Sequence, residues 1–162
     1  MLDWVSSALL FIGPSYAANA APLVFGGGRA LDWGRKLSDG QPIFGSHKTI
    51  RGVIAGILAG TIIGLAESPI DSRLALAGFM ISLGVILGDL LGAFIKRRLR
   101  LEPGKAFPIL DQLDFVLGGL ILGYSFFPIG LFSALFVVVV TPPIHLGTNY
   151  GAYRLGMKKT QW

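Results

Sequence analysis

The apolar run from Leu74 to Ile95 is the feature that most constrains this chain, because it can cross a bilayer as one helix. A transmembrane helix needs about 20 mainly apolar residues. The run contains one ionisable residue, Asp89, which lies about 10 Å from Lys96 at 1.5 Å per residue. A bare carboxylate at such depth costs a few kcal/mol and usually faces a wet cavity. Asp89 is therefore predicted to be functional.

The composition is that of a small integral membrane protein. Hydrophobic residues make up 52% of the 162 residues, and only 14% are charged, whereas a soluble domain carries about 25% charged residues. The chain has no cysteine, which excludes disulfides, thiolate catalysis and thiolate metal sites. Asp and Glu oxygens are therefore the expected ligands of any metal, and they suit magnesium, manganese or calcium.

Five apolar segments predict an all-α bundle of five transmembrane helices in a single domain, residues 1–162. The segments are Leu2–Phe25, Val53–Leu65, Leu74–Ile95, Phe115–Phe127 and Ile129–Leu146. The second and fourth are short, so their helices are expected to extend into polar flanks. Pro14 and the pair Pro142-Pro143 should kink their helices or end them early.

The cations predict the orientation of the bundle. Every lysine and arginine except Arg73 falls in the two long loops or in the C-terminal tail, which includes Lys158 and Lys159. By the positive-inside rule, these segments face the cytoplasm and the N-terminus lies outside. The sequence therefore predicts a multi-pass protein of the cell membrane with a polar cavity open to the cytoplasm.

Three aspartates form the strongest candidate site. Asp89 shares a helix face with Gly92 and Lys96, and Asp111 lies one helical turn from Asp114. Such a set can supply oxygen ligands to one or two divalent ions, as in phosphoryl transfer. The alternatives are an ion pair of Asp89 with Lys96 or another helix, and a helix-capping role for Asp111.

The segment from Gly45 to Gly52 predicts a phosphate contact. It carries hydroxyls and cations just before the second helix, where backbone N–H groups favour an anion: Ser46, Lys48, Thr49 and Arg51. The alternative is a basic membrane anchor with a Ser or Thr helix cap. Two weaker candidates are Asp39, which also suits a turn, and Asn149, which shares a helix face with His145.

These motifs resemble the CDP-archaeol synthase family, the archaeal relatives of CDP-diacylglycerol synthases. The likeness covers nearly the whole chain and rests on residues Gly45 to Gly52, Gly88 to Arg97, Pro108 to Phe115 and His145 to Lys158. Ala93 replaces a serine of the wider synthase signature, and Gln112 replaces an arginine. These departures favour the archaeal branch.

The resemblance implies a magnesium-dependent cytidylyltransferase that joins CTP to 2,3-bis-O-geranylgeranylglycerol 1-phosphate, giving CDP-archaeol and pyrophosphate. It implies that Asp89, Asp111 and Asp114 hold Mg²⁺ and that Lys96 and Arg97 neutralise phosphates. Lys48, Thr49 and Arg51 would then grip the rest of the nucleotide, and Asn149 or Asp39 would read the cytosine. The expected partners are CTP, the isoprenoid ether lipid phosphate and the bilayer, with no nucleic acid.

Three other functions remain open from the sequence. A CDP-diacylglycerol synthase would use phosphatidic acid in the same chemistry. A small transporter would explain Asp89 beside a lysine, but almost no polar residue marks a path toward the outer side. A non-catalytic binder of anionic lipid would explain the basic loops, although not the aspartates among them.

Overall fold

A computed structural model shows an all-helical chain. Its helices are α1 (Trp4–Phe25), α2 (Ile50–Glu67), α3 (Leu74–Arg98), α4 (Leu110–Gly123) and α5 (Leu131–Arg154). The structure describes residues 2–101, 105, 107 and 109–157. The sequence predictions that concern Pro108, Lys158 and Lys159 lie outside these residues.

Helix α2 packs between α1 and α3 through a stripe of buried glycines at every fourth position: Gly52, Gly56, Gly60 and Gly64. A Cβ on Gly60 would lie 2.6 Å from the Pro14 carbonyl oxygen of α1, and one on Gly64 would lie 2.5 Å from the Gly78 Cα of α3. As residue numbers increase along α2, the numbers of the contacting residues decrease in both α1 and α3. Helix α2 is therefore antiparallel to each of them. Glycine is required here because the backbones approach too closely for any side chain.

Helices α3 and α4 make the same kind of contact. Gly84 of α3 lies against Gly118 of α4, and Gly88 lies against the backbone of Asp114 and Phe115. Both contacts leave no room for a Cβ. Helix α4 therefore runs antiparallel to α3 with its first turns beside the last turns of α3.

Helix α5 completes the bundle against α1 and α4. The Ser133 hydroxyl donates to the Trp4 carbonyl at 2.9 Å, and the hydroxyls of Tyr16 and Thr141 are 2.9 Å apart. These contacts make α5 parallel to α1. The core is built from α1, α3, α4 and α5, with large buried side chains such as Phe11, Ile81 and Phe115.

Four helices, α1, α2, α3 and α5, are long and apolar enough to cross a membrane. Helix α4 has 14 residues, so the described residues contain five helices, of which length and composition qualify four as crossings. Of the two outcomes expected at Pro142 and Pro143, a kink or an early end, the early end does not occur, since α5 continues through them to Arg154. Membrane helices tolerate proline because neighbouring helices and side chains satisfy the freed backbone groups.

One end of the bundle, which we call the basic end, holds the C-termini of α1, α3 and α5 and the N-termini of α2 and α4. The α1–α2 loop, residues 26–49, folds back over this end through two isolated antiparallel bridges, Ala30 with Thr49 and Lys36 with Pro42. The loop therefore has a fixed conformation at the level of the first turn of α2.

Gly60 gives a test of the packing. Gly60→Ala should lower the apparent Tm in detergent, because its Cβ overlaps α1 and the Ser82 side chain, an overpacking cost of about 1–3 kcal/mol. Gly147→Ala is the matched control, since a Cβ there has nothing within 4 Å. An equal Tm for both variants would contradict the packing described here.

Candidate active site

Asp89 lies on the α3 face that the α1–α2 loop covers. Lys48 Nζ donates to both of its carboxylate oxygens, at 2.6 and 2.5 Å. Each side chain is only about a quarter exposed. Asp89 is therefore paired with Lys48, in the loop before α2. The sequence left Lys96 or another helix open as its partner, and the structure shows that Lys96 pairs elsewhere.

Lys96, two turns further along α3, pairs with Asp111 in the first turn of α4. The distance between Lys96 Nζ and Asp111 Oδ1 is 2.6 Å. The other carboxylate oxygen of Asp111 accepts the Phe107 N–H at 2.9 Å. The suggestion that Asp111 caps α4 is wrong, because the capping position is Ile109.

Asp114 lies between these two ion pairs. Its carboxylate packs against Gly92 of α3. A Cβ added to Gly92 would lie 2.9 Å from Asp114 Cγ. It lies within electrostatic range of the carboxylates of Asp89 and Asp111 and of the Lys48 ammonium. The glycine at position 92 thus lets an α4 carboxylate rest on α3, one turn from Asp89.

Two of the three carboxylates of the site are paired with lysines. Lys48 and Lys96 each neutralise one carboxylate, and one oxygen of Asp114 accepts the Phe115 N–H at 2.6 Å. Within the described residues, no three Asp, Glu, His or Cys side chains converge in a ready-made metal cage. The site therefore holds adjacent carboxylates and ammonium groups, which suits a cation that arrives together with an anionic ligand.

The segment from Gly45 to Gly52 lies beside this site. Its two hydroxyl groups have different surroundings: that of Thr49 is hydrogen-bonded within the fold, and Ser46 is exposed. Thr49 Oγ1 accepts the N–H groups of Gly52 and Gly27, at 3.1 and 3.2 Å, and so caps α2. Ser46 and Arg51 are exposed. The capping alternative is correct for Thr49, while Ser46 and Arg51 remain available to a ligand.

Arg97 connects α3 to the same loop. It is 5% exposed, and its Cδ lies 3.8 Å from where a Cβ on Gly45 would be. It also lies within electrostatic range of Asp111. The structure thus brings Arg97 to the site as predicted.

Asp32 is a site-building residue that the sequence reasoning missed. Its Oδ2 accepts the N–H groups of Phe44 and Gly45, at 2.9 and 2.8 Å, and its Oδ1 accepts that of Gly34 at 3.0 Å. Burial acts to raise the pKa of the carboxyl, but these donors prevail and hold the pKa below its ordinary value of 3.8. The sequence signal was Asp32-Trp33-Gly34, which suits an Asx turn.

The two candidates for reading cytosine occupy different places. Asp39 pairs with Arg98 at 2.7 Å, and Arg98 also donates to the carbonyls of Gln41 and Pro42. Asn149 is buried on α5, 3.3 Å from His145 Nδ1, and the His145 ring contacts Phe115. Asp39 therefore anchors the loop to α3, whereas Asn149 belongs to the interface of α4 and α5.

These features define a class of protein: a helical, membrane-embedded enzyme with a carboxylate–lysine site at one end of its bundle. The model of the CDP-archaeol synthase family (CarS-like) matches residues 1–162. The CDP-archaeol synthase of Methanopyrus kandleri is 42% identical over 98% of this chain and 94% of its own length. That of Pyrococcus furiosus is 41% identical over 98% of both chains.

A solved structure gives the same result for the fold. It is described as an intramembrane enzyme for archaeal membrane lipid biosynthesis, with a TM-score of 0.85 and 36% identity over 92% of this chain and 99% of that one. This chain belongs to the CDP-archaeol synthase family. The family predicted from the motifs is therefore confirmed, and so is the prediction of an enzyme embedded in the membrane.

Gly92 offers a test of the site's geometry. Gly92→Ala should lower turnover at least about tenfold, because the added Cβ displaces the Asp114 carboxylate from α3 and a misplacement of 1 Å can cost more than that. The apparent Tm should change little, since a side chain rather than the backbone must move. A variant with parental turnover would show that Asp114 is not needed at this position.

Asp32 offers a test of the loop. Asp32→Asn should speed hydrogen exchange at residues 43–45, because an amide nitrogen would face N–H donors. The free energy needed to open the loop should fall by about 1–3 kcal/mol. The folded pKa is lowered, so the stabilisation is present above pH 3.8 and is lost as the pH falls through the folded value. The difference between parent and variant should therefore be constant near neutrality and shrink in acid. Asp71→Asn, at the other end of the bundle, is the control and should leave exchange in the loop unchanged.

Proposed function

We propose that this chain transfers a cytidylyl group from CTP to 2,3-bis-O-geranylgeranylglycerol 1-phosphate, giving CDP-archaeol and pyrophosphate. Full-length membership of the CDP-archaeol synthase family supports the reaction. The observation that carries the proposal for the site is the placement of Asp114 on Gly92, between the pairs Lys48–Asp89 and Lys96–Asp111. Carboxylates and lysines in alternation suit a polyphosphate that brings its own cation.

The proposed site faces the cytoplasm, where CTP is found. The distribution of charge supports this orientation, because Arg73 alone among the lysines and arginines of the described residues lies away from the basic end. In this arrangement α4 is the fifth crossing. Its 14 residues cover about 21 Å, and its antiparallel contact with α3 carries the chain back across the bundle.

The donor set fits magnesium. Asp89, Asp111 and Asp114 supply hard oxygen ligands, and magnesium commonly takes one or two carboxylates together with phosphate oxygens and waters. A preformed cage of three protein ligands is therefore not required. When bound, the ion would offset the charge that builds up on the phosphates as pyrophosphate leaves.

Binding would proceed by exchange of ion-pair partners. Lys48 and Lys96 now neutralise Asp89 and Asp111. Triphosphate oxygens can take over the two ammonium groups while the freed carboxylates turn to the cation. No charge is left unpaired in this exchange, which matters because an unpaired charge away from bulk water costs several kcal/mol. Arg97 lies beside Gly45 and Asp111 and would hold a further phosphate.

The chemical step needs no nucleophile from the protein. An oxygen of the lipid phosphate, already an anion, forms a bond to the α-phosphorus of CTP. The bond from that phosphorus to the oxygen bridging to the β-phosphate breaks, and pyrophosphate leaves with the electron pair. The side chains contribute orientation and charge compensation, which dominate catalysis of phosphoryl transfer.

The lipid would approach from the side of α5. This helix buries only Ser133, Val137, Thr141 and Asn149 within Leu131–Arg154, so most of its surface is open to lipid. The isoprenoid tails can then stay in the bilayer, where each CH₂ is worth about 0.8 kcal/mol. Ser46 and Arg51 are exposed beside the site and are proposed to contact CTP. A role in reading cytosine stays a prediction for Asp39 and Asn149.

The deciding experiment is turnover of labelled CTP by the purified protein with magnesium and the ether lipid phosphate. Asp89→Asn and Asp114→Asn should each lower turnover by at least about 100-fold, as loss of a charge-stabilising group does elsewhere. Asp71→Asn is the matched control. If CDP-lipid forms from phosphatidic acid and not from the ether lipid phosphate, the substrate is an ester lipid and the alternative of a CDP-diacylglycerol synthase is favoured.

Two results would contradict the proposal. One is a folded parent that makes no CDP-lipid from either class of lipid phosphate. The other is full activity in Asp114→Asn with an unchanged apparent Tm. Turnover that survives removal of all divalent cations by chelation would overturn the magnesium assignment alone.

A further inference from the structure

The α1–α2 loop carries a surface that the proposed reaction does not use. It consists of Arg29, Leu31, Trp33, Arg35, Lys36 and Leu37, and we call it the Trp33 surface. The Trp33 side chain is 62% exposed, and Leu37 is 41% exposed. Arg29, Arg35 and Lys36 are exposed, and none of them forms an ion pair with a carboxylate of the described residues.

The hydrogen bonds of the loop fix the height of this surface. Leu31 N–H donates to the Lys48 carbonyl at 2.7 Å, and Ile50 N–H donates to the Arg29 carbonyl at 3.2 Å. Because Ile50 is the first residue of α2, Arg29 and Leu31 lie level with the end of a membrane helix. The Trp33 surface is therefore placed at the bilayer interface, where tryptophan is enriched and cations meet lipid phosphates.

The surface is concave. A cavity of about 400 Å³ lies among Leu31, Asp32, Trp33, Arg35, Ile43 and Phe44. The Arg29 guanidinium stacks over the Trp33 ring at 4.5 Å. An apolar wall rimmed by guanidinium groups matches the interfacial part of a phospholipid, where an anionic phosphate lies next to the start of apolar tails.

The backbone at Trp33 is held in a strained conformation. Its φ of 55° lies in the left-handed region, which is uncommon for a bulky side chain and is often kept where function requires it. Trp33 N–H donates to the Ala30 carbonyl at 3.1 Å, and the preceding Asp32 fixes Gly34. The fold thus maintains an outward-facing tryptophan at some cost in free energy.

We propose that the Trp33 surface binds the headgroup of an anionic membrane lipid at a site separate from that of the reacting lipid. Charge complementarity carries the assignment: three uncompensated cations flank an exposed tryptophan at interface height. Each cation near an anionic surface raises the binding constant for anionic lipid about fivefold. Anionic lipid should therefore be enriched here over neutral lipid.

The same geometry couples the lipid site to the candidate active site. Asp32, next to Trp33, holds Phe44 and Gly45 by their N–H groups, and Gly45 lies three residues before Lys48. An anionic headgroup that orders the Trp33 and Arg35 side chains would therefore steady the backbone that carries Lys48, the lysine that passes to the triphosphate in the proposed exchange. This consequence rests on the proposed function: anionic vesicles should lower the KM for CTP.

The test uses Trp33 as the sole tryptophan, with Trp4→Phe and Trp162→Phe, in the full chain reconstituted into phosphatidylcholine vesicles. A minor fraction of either brominated phosphatidylglycerol or brominated phosphatidylcholine is added, and quenching of Trp33 emission is measured. The anionic quencher should act at least about twofold more strongly. Arg29→Gln with Arg35→Gln should abolish the difference, whereas Arg73→Gln, at the opposite end, should preserve it.

Equal quenching by the two brominated lipids would overturn the proposal. Quenching by added CTP in place of lipid would also overturn it and would assign the cavity to the nucleotide. The fluorescence needs no turnover, so failure of the lipid site is distinguished from failure of the proposed reaction. Where turnover is measured, the double variant should keep its rate in neutral vesicles and lose the effect of anionic lipid on KM.

Discussion

The site depends on the close approach of two helix backbones, α3 and α4. Gly84 and Gly88 of α3 meet the backbone of α4 at Gly118 and Asp114, where no Cβ fits. At this separation the short side chain of Asp114 can reach Gly92, and Asp111 can reach Lys96. A wider spacing would leave each carboxylate on its own helix, and no shared site would form.

A second constraint is electrostatic. Charged groups beside the hydrocarbon are tolerated only when they are compensated. Here the compensation is local: Lys48 and Lys96 bind carboxylates, and a backbone N–H binds Asp114. The same ammonium groups are the natural partners of phosphates, so one set of charges can serve both the free and the bound protein. A small number of polar residues can therefore serve both states.

The α1–α2 loop does more than carry cations. Asp32 fixes Phe44 and Gly45, Thr49 joins Gly27 to the start of α2, and Arg98 holds the turn near Asp39. These contacts make the loop a rigid cover over the basic end. Lys48 consequently reaches Asp89 from a fixed backbone, a condition for accurate placement of a phosphate.

The sequence by itself determined the membrane class, the five helices, the charged end and the family, because hydropathy, cation distribution and motif spacing are local properties of the chain. It also singled out Asp89, Lys96, Asp111 and Asp114, which the fold brings close together. Only the tertiary structure decided the pairing of Lys48 with Asp89, the bond between Thr49 and Gly27 and the role of Asp32. Those outcomes depend on contacts between residues far apart in the chain, and periodicity along a single helix contains no information about them.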